Sequence, residues 1–205
     1  MGAVVTGGCG FIGSHLVDTL VAQGNEVLVI DSLVAGRRET IAGHINKNRV
    51  RFLKKDMLRD GWQEKISGAD RVFHLAADPD VRQSAANPVP TLQNNVTATY
   101  RVLEAMRLHD VPEIVFTSPS TVYGEAKVIP TPEDYSPLEP VSVYGASKLA
   151  CEALISAYCH SFTLKSWNFR FANIVGERSV HGVITDFIRK LRDNPDELEI
   201  LGNGK

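Results

Sequence analysis

The chain has 205 residues, of which 43% are hydrophobic and 22% are charged, and its formal net charge is -2. These values are typical of a globular protein and give no electrostatic reason to expect nucleic acid or an anionic membrane as a partner. The sequence has no basic-then-apolar leader and no membrane-length apolar run, and its cysteines form no CxxC pair. We therefore expect a cytoplasmic protein with no membrane partner, no disulfide framework and no bound metal.

The hydrophobic pattern predicts strands that alternate with helices. In chain order, the predicted strands cover 3–6, 26–30, 50–53, 71–75, 113–117, 164–169 and, as a short last one, 198–201. The predicted helices cover 11–23, 90–109, 143–162 and 183–192. This alternation is typical of the α/β class, here a doubly wound, Rossmann-like parallel sheet. The alternation ends near residue 173, which is the position where the sequence best suggests a domain boundary.

Glycines fill the connection between the first strand and the first helix. Gly8, Gly10 and Gly13 satisfy G-x-G-x-x-G, and Gly7 with the last two satisfies the wider G-x-x-G-x-x-G spacing. Such a loop lets a pyrophosphate approach the backbone closely, and the dipole of the following helix favours the anion. A purely structural turn is the alternative. The small apolar segment 75–77, after the fourth strand, either lines a dinucleotide or simply packs tightly.

Carboxylates follow the second and third strands. Asp31 is placed to accept hydrogen bonds from ribose hydroxyls, and it would repel a 2′-phosphate, so NAD is favoured over NADP. Arg37 and Arg38 leave NADP open, and capping of Ser32 and its neighbours is the structural alternative for Asp31. Asp56 is placed to bind an adenine amino group, although carboxylates after strands are common.

A tyrosine and a lysine lie four residues apart in a predicted helix. Tyr144 and Lys148 therefore share one helix face, where the ammonium would favour the tyrosine phenolate and make it a general base. A chance pair on a solvated helix is the alternative. Tyr123 and Lys127 have the same spacing, but Gly124 and the loop beyond it disfavour a helix there.

Together these motifs resemble the extended short-chain dehydrogenase/reductase family, in its NAD-dependent epimerase/dehydratase branch. The segments 6–13 and 122–124 and the Tyr144–Lys148 pair stand in the family's order and spacing, and the resemblance covers essentially the whole chain. The UDP-galactose 4-epimerases of archaeal type are the members most similar in character. The resemblance implies an NAD-binding domain at 1–173, and at 174–205 the start of a lobe that binds a nucleotide sugar such as a UDP-hexose.

The resemblance also implies roles for individual residues. Contacts with NAD are implied for Gly7, Gly10, Phe11, Ile12, Gly13, Asp31, Ser32, Leu33, Val34, Ala35, Gly36, Asp56, Met57, Leu75, Ala76, Ala77, Asn95, Tyr144 and Lys148. Contacts with the nucleotide sugar are implied for Ser118, Asn173 and Val183. Tyr144 would remove the proton of the sugar 4-hydroxyl while C4 gives its hydride to NAD. The resulting 4-keto sugar would turn over and take the hydride back on its other face.

A homodimer through the two long helices is a further implication of the resemblance. Leu103, Met106, Leu149 and Leu154 are available for such an interface, but they could equally face the sheet.

Two features depart from the family pattern. Pro119 stands where family members carry the serine or threonine that bridges the tyrosine and the sugar oxygen, and proline has neither a hydroxyl nor an amide donor. Ser118 or Ser120 would have to substitute for it. Family members also continue beyond the position of Lys205, so we expect a fragment that binds NAD with little or no turnover.

Two alternatives to the epimerase remain open. A 4,6-dehydratase or decarboxylase of the same branch is disfavoured, because dehydratases carry acids where this chain has Ser120 and Thr121. A non-catalytic NAD-binding module is favoured by Pro119 and by the short length, and disfavoured by the retained Tyr144 and Lys148.

Overall fold

A parallel six-stranded sheet forms the centre of the first compact unit, in a computed structural model that describes residues 2–180 and 182–200. The strands are β1 (Gly2–Thr6), β2 (Glu26–Asp31), β3 (Val50–Lys54), β4 (Ala69–His74), β5 (Glu113–Pro119) and β6 (Lys165–Phe171). Their spatial order is β3-β2-β1-β4-β5-β6, and all neighbouring pairs are parallel. This order confirms the predicted doubly wound fold, and it reverses between β1 and β4, where ligands bind in such sheets.

The helices follow the strands as the alternation predicts. They are α1 (Phe11–Ala22), α2 (Ala42–Asn46), α3 (Val81–Ala86), α4 (Pro88–Leu92), α5 (Ala98–Leu108), α6 (Val143–Phe162) and α7 (Val183–Asp193). Of the described helices, none is long and apolar enough to cross a membrane. Single turns at 38–41, 63–66 and 120–123, like α2 and α3, escaped prediction because they are too short for hydrophobic periodicity to appear.

Successive side chains of the central strands enter two separate cores. Val4 packs with α5 and α6 on one face of the sheet, and Val5 packs with α1 on the other. Val29 and Ile30 divide in the same way along β2. Because side chains alternate along a strand, an uninterrupted apolar run is what a sheet covered on both faces requires.

The helix predicted at 90–109 contains a π-helical turn. The turn covers Gln93–Thr97 between α4 and α5, and its wider winding directs the buried Asn95 towards the chain that follows β4. A π turn has no distinctive spacing of apolar residues, so the sequence pattern could not predict it.

The apolar residues suggested for a dimer interface divide between two positions. Leu103 and Met106 are fully buried in the core, which confirms the alternative that they face the sheet. Leu154 is partly buried against the same core, and Leu149 is also partly buried. The large exposed apolar side chains of α5 and α6 are instead Tyr100, Leu108 and Phe162.

The chain divides into two compact units, Met1–Ala172 and Asn173–Lys205. The second unit contains α7, whose Val183, Ile184 and Ile188 are exposed. The strand predicted at 198–201 is wrong over Leu198–Ile200, which form no strand in the described structure, and Leu201 lies outside the described residues. Hydrophobicity alone suggested that strand.

Candidate functional site

The glycine loop runs from the carboxyl end of β1 into α1, beside the point where the strand order reverses. Gly7 has φ of 70°, and a Cβ there would lie 2.7 Å from the amide nitrogen of Ala76. A Cβ on Gly13 would lie 2.2 Å from the carbonyl oxygen of Gly7. Backbone packing therefore requires both glycines, so the structural reading of the turn explains these two positions.

Gly10 differs from the other two glycines. A Cβ on Gly10 would meet only the Gly7 carbonyl oxygen, at 3.3 Å, among the described atoms within 4 Å. Gly10 is the N-cap of α1 without a side-chain hydrogen bond, and Phe11 and Ile12 begin a first turn that has no acidic residue. Positive partial charge collects at such a helix end. The loop thus fits the pyrophosphate of a dinucleotide, since the backbone leaves room there for an anion.

Asp31 ends β2 next to this loop and is buried. One carboxylate oxygen accepts the Cys9 N–H at 2.9 Å, and the other accepts the Leu33 N–H at 2.8 Å. Each carboxylate oxygen retains a lone pair, so Asp31 orders its loop and can still accept a ribose hydroxyl. A Cβ on Gly36 would lie 3.0 Å from both oxygens, so this glycine leaves space above the carboxylate.

The remaining residues of the predicted ribose loop show different exposure. Leu33 packs against the core that contains α1 and has φ of 62°, whereas the Val34 side chain is almost fully exposed. Ser32 accepts the Val34 N–H through its hydroxyl at 3.4 Å, and Ala35 is exposed.

Asp56 and Met57 follow β3. The Asp56 carboxylate accepts the Leu58 N–H at 2.9 Å, as a carboxylate that begins a turn commonly does. The side chain of Met57 is buried in the core, and its carbonyl accepts a hydrogen bond from Arg101 at 2.9 Å. The buried side chain of Met57 is therefore unavailable to an adenine, which leaves its backbone for such a contact.

The first turn of α6 is fixed closely to the end of β5. Ser142 caps the helix by accepting the Gly145 N–H at 3.0 Å. A Cβ on Gly145 would lie 3.0 Å from the carbonyl oxygen of Thr121, so this glycine allows α6 to approach the turn after β5. Tyr144 and Lys148 both lie in α6, which confirms the predicted helical spacing. Tyr123 and Lys127 share no helix, as the sequence predicts.

The electrostatic surroundings of this pair differ from the expectation. Burial raises the pKa of Tyr144 to about 12, and the Asp78 carboxylate adds to the increase. Burial lowers the pKa of Lys148 to about 8, and its ammonium lies 4.0 Å from the centroid of the Phe116 ring. Burial and Asp78 therefore outweigh any help from Lys148. Tyr144 is a phenol at neutral pH unless a further positive charge comes to lie beside it.

The Asn95 side chain forms hydrogen bonds both to the segment after β4 and to α6. Its side-chain oxygen accepts the Asp78 N–H at 2.7 Å, and its side-chain nitrogen donates to the Asp78 carbonyl at 3.2 Å and to the Ser147 hydroxyl at 2.9 Å. Both N–H donors of the amide and one lone pair of its oxygen are thus used inside the protein, which supports a scaffolding role rather than direct contact with a ligand. Asp78, which this contact positions, was missed in the sequence, although it directly follows the predicted 75–77 segment.

Ser118 and Ser120, whose hydroxyls were suggested as replacements for the hydroxyl missing at Pro119, lie at the end of β5 and just after it. Ser118 is 2% exposed, and its hydroxyl has no hydrogen-bond partner among the described residues. It lies on the same face of β5 as Phe116, the face towards Lys148. Ser120 begins the next turn and is exposed. Only Ser118 thus combines the Lys148 side of the sheet with an unused hydrogen-bonding capacity.

An ion pair connects β6 with α6, the helix of Tyr144. The guanidinium of Arg170 in β6 donates to Glu152 of α6 at 2.7 to 3.2 Å, and to the Glu133 carbonyl at 3.1 Å. The same guanidinium lies 4.9 Å from the centroid of the Tyr123 ring. Arg170 therefore fastens the loop after β5 to the helix of Tyr144, a function that no local motif could reveal.

The predicted sugar contacts Asn173 and Val183 belong to the second unit. Asn173 is its first residue and Val183 begins α7, and both side chains are exposed. The first unit therefore collects the predicted residues for NAD and for the base, and these two lie outside it.

Known proteins match most of the chain. Residues 3–205 match the NAD dependent epimerase/dehydratase family. A putative UDP-glucose 4-epimerase of Methanocaldococcus jannaschii is 37% identical over 98% of the chain and 66% of its own length. A solved UDP-galactose 4-epimerase is 49% identical, with a TM-score of 0.87 over 95% of this chain and 64% of that one.

A dehydratase is also similar. The dTDP-glucose 4,6-dehydratase of Streptomyces venezuelae, solved with NAD bound, is 33% identical with a TM-score of 0.89, over 94% of this chain and 62% of that one. The chain thus spans slightly less than two thirds of these relatives. The sequence match, the parallel sheet and the glycine loop lead to one conclusion: the chain belongs to the NAD-dependent epimerase/dehydratase family.

Proposed function

We propose that this chain is the NAD-binding part of a nucleotide-sugar 4-epimerase that acts on UDP-hexoses. The observation that carries the proposal is the anion-accepting glycine loop at the reversal of strand order, together with Tyr144 and Lys148 on the adjacent α6. The epimerase relatives support the choice of reaction. Bound NAD would reversibly accept hydride from C4 of the sugar, so that a 4-keto sugar is the intermediate.

The residues of the first unit would bind and orient the dinucleotide. The N–H groups at the start of α1 would bind the pyrophosphate, Asp31 the adenosine ribose, and Asp56 the adenine. The segment 75–77 would line the dinucleotide, because Ala76 already lies against the glycine loop. Lys148, whose ammonium is held inside the protein, would bind the nicotinamide ribose.

Tyr144 would exchange a proton with the sugar 4-hydroxyl. Because its pKa is about 12 in the protein, Tyr144 needs an additional positive charge beside its oxygen to become a base near neutral pH. Oxidised nicotinamide carries such a charge. Ser118, whose hydroxyl has no partner among the described residues, would take the bridging role that Pro119 cannot perform.

The reaction can be tested with UDP-galactose deuterated at C4 and the NAD-loaded chain. We expect slow formation of UDP-glucose that retains the deuterium, because hydride leaves C4 and returns to it. Ser118→Ala should lower the rate by about 100-fold by removing the bridging hydroxyl, and Tyr144→Phe should abolish conversion while leaving NAD binding intact. Loss of deuterium to solvent would contradict the 4-keto route.

Two other functions have distinct outcomes in the same experiment. A 4,6-dehydratase, suggested by the Streptomyces venezuelae relative, would release a sugar that has lost water. The uncharged Ser120 and Thr121 disfavour that chemistry. A non-catalytic module would bind NAD without converting the sugar.

The domain roles and the assembly are part of the same proposal. We assign NAD binding to 1–173 and the start of the nucleotide-sugar lobe to 174–205, and the division of contacts near Asn173 supports this boundary. A cytoplasmic homodimer would use Tyr100, Leu108 and Phe162, the exposed apolar residues of α5 and α6. Light scattering should give twice the chain mass, and Leu108→Lys should reduce it.

A further inference from the structure

A buried histidine joins the two halves of the candidate site. His74, the last residue of β4, is fully buried. Its Nδ1 lies 2.7 Å from the Thr6 hydroxyl of β1, and its Nε2 lies 3.0 Å from the Thr99 hydroxyl of α5. His74 itself belongs to no motif that the sequence suggested, and the proposed reaction does not use it.

The hydrogen bonds continue from both sides of the imidazole. On one side, the Ala76 N–H donates to the Thr6 hydroxyl at 3.2 Å. On the other side, the Thr99 hydroxyl donates to the Cys151 sulfur at 3.3 Å, and that thiol donates to the Asn95 carbonyl at 3.4 Å. This series of hydrogen bonds therefore extends from the segment 75–77, which lines the proposed dinucleotide site, to the helices that carry Thr99 and Cys151.

The pattern of donors assigns one tautomer to His74. The Thr99 proton is used by Cys151, so Thr99 must accept from Nε2–H. The Thr6 hydroxyl accepts from Ala76 and has its own proton to donate, so Nδ1 must accept it. In this arrangement each proton of the chain has an acceptor, which the opposite tautomer does not allow.

The far end of this hydrogen-bond series reaches Tyr144, the residue proposed as the base. Besides accepting from Cys151, Asn95 donates to the Ser147 hydroxyl, which donates to the Tyr144 carbonyl at 2.7 Å. A chain in which every group is satisfied has essentially one geometry, and its bonds polarise one another.

We propose that His74, as the neutral Nε2–H tautomer, is a positioning residue that sets the segment 75–77 at a fixed distance from the helix of Tyr144 and Lys148. The inference rests on the proposed function, because it concerns the placement of the dinucleotide against the base. An imidazolium could not accept from Thr6, so the chain requires an uncharged ring. Burial, with a contribution from the Lys148 ammonium, lowers the pKa of His74 to about 3 and keeps the ring uncharged.

The coupling is testable without any ligand. Long-range ¹⁵N–¹H spectra of the 205-residue protein should show a protonated Nε2 and an unprotonated Nδ1 at His74. Thr99→Val keeps the side-chain volume but removes the acceptor of Nε2–H, so hydrogen exchange at the Ala76 amide should accelerate by about tenfold. Thr99→Ser, which keeps the hydroxyl, should match the wild type.

Two results would overturn the coupling. One is an Nδ1–H tautomer in the wild type, and the other is unchanged Ala76 exchange in a folded Thr99→Val. Should Thr99→Val not fold, Cys151→Ala provides a second variant, because it removes the acceptor of Thr99 and the donor to the Asn95 carbonyl while leaving Thr99 itself in place. Cys151→Ser is its matched control, and the same acceleration is expected for Cys151→Ala.

A titration with NAD separates this inference from the proposed function. Thr99→Val should bind NAD about tenfold more weakly than the wild type, and Thr99→Ser should restore the affinity. Unchanged affinity despite faster Ala76 exchange would refute the positioning role. If the wild type bound no NAD, the proposed function would fail for this chain, while the tautomer and exchange measurements would still decide the coupling.

Discussion

The glycine loop and the Tyr144 region of the site are built by different means. At the glycine loop the backbone itself forms the site, and Gly7 and Gly13 are required because any side chain would collide with main-chain atoms. Around Tyr144 the site depends on buried and partly buried side chains from separate elements, among them Asn95, Lys148 and Arg170. The first kind of site is encoded locally, whereas the second exists only after the sheet and helices have assembled.

The largest effect that tests this contrast is expected at Gly13. Gly13→Ala would place a Cβ 2.2 Å from the Gly7 carbonyl oxygen, so we expect a loss of about 3 kcal/mol or more in the free energy of unfolding. Gly10→Ala, whose Cβ would meet only the Gly7 carbonyl oxygen at 3.3 Å among the described atoms within 4 Å, should cost about 1 kcal/mol or less yet weaken NAD binding. Urea unfolding and calorimetric titration measure both quantities. Equal stability losses for the two variants would contradict the distinction between them.

The next largest effect is expected at the ion pair of Arg170. Arg170→Met would leave the buried Glu152 carboxylate without its partner, so we expect a loss of about 3 kcal/mol in the free energy of unfolding. The double variant with Glu152→Leu should recover most of that loss, because it no longer buries an uncompensated charge. Double-mutant cycles by urea unfolding test this, and additive losses would rule out the coupling.

The same contrast explains which parts of the fold and of the candidate site could be predicted from the sequence. The alternation of apolar runs and helical periodicity predicted all six strands of the sheet and α1, α6 and α7, because local patterns determine such elements. Asp31 and the glycine loop were also predictable, since they occupy fixed positions after strands. The roles of His74, Asp78 and Arg170 were not, because their partners are distant in the chain. Charge and burial around Tyr144 likewise depend on the assembled fold.

An effect of at most the same size, which depends on pH, is expected at Lys148. Its pKa in the folded protein, about 8, lies below the ordinary value of 10.5, so the folded state binds fewer protons than the unfolded state between these pH values. Burial of the ammonium therefore destabilises the folded state by its full amount below about pH 8, and this destabilisation disappears as the pH rises to 10.5. Lys148→Met should therefore be more stable than the wild type at pH 7, by up to about 3 kcal/mol, with an advantage that shrinks above pH 8.

Thermal and urea unfolding across this pH range provide the measurement. Lys127→Met, at an exposed lysine, is the matched control and should show no comparable pH-dependent advantage. A constant stability difference between Lys148→Met and the wild type would show that burial does not oppose the ammonium.

The smallest effect is expected at the cap of α6. Ser142→Ala removes the acceptor of the Gly145 N–H and should lower the free energy of unfolding by about 1 kcal/mol. Ser142→Asp keeps an acceptor at the N-cap and should be close to neutral. If both variants lose the same stability in urea, the cap does not hold the turn that carries Tyr144.

The central claim is that the first unit forms a working NAD site, and released nucleotide tests it most directly. The purified chain would be denatured and the nucleotide identified by mass spectrometry, before and after incubation with NAD. We predict NAD or NADH at about one per chain, since a single glycine loop occupies the reversal of strand order. Absence of nucleotide even after incubation with excess NAD would contradict the account.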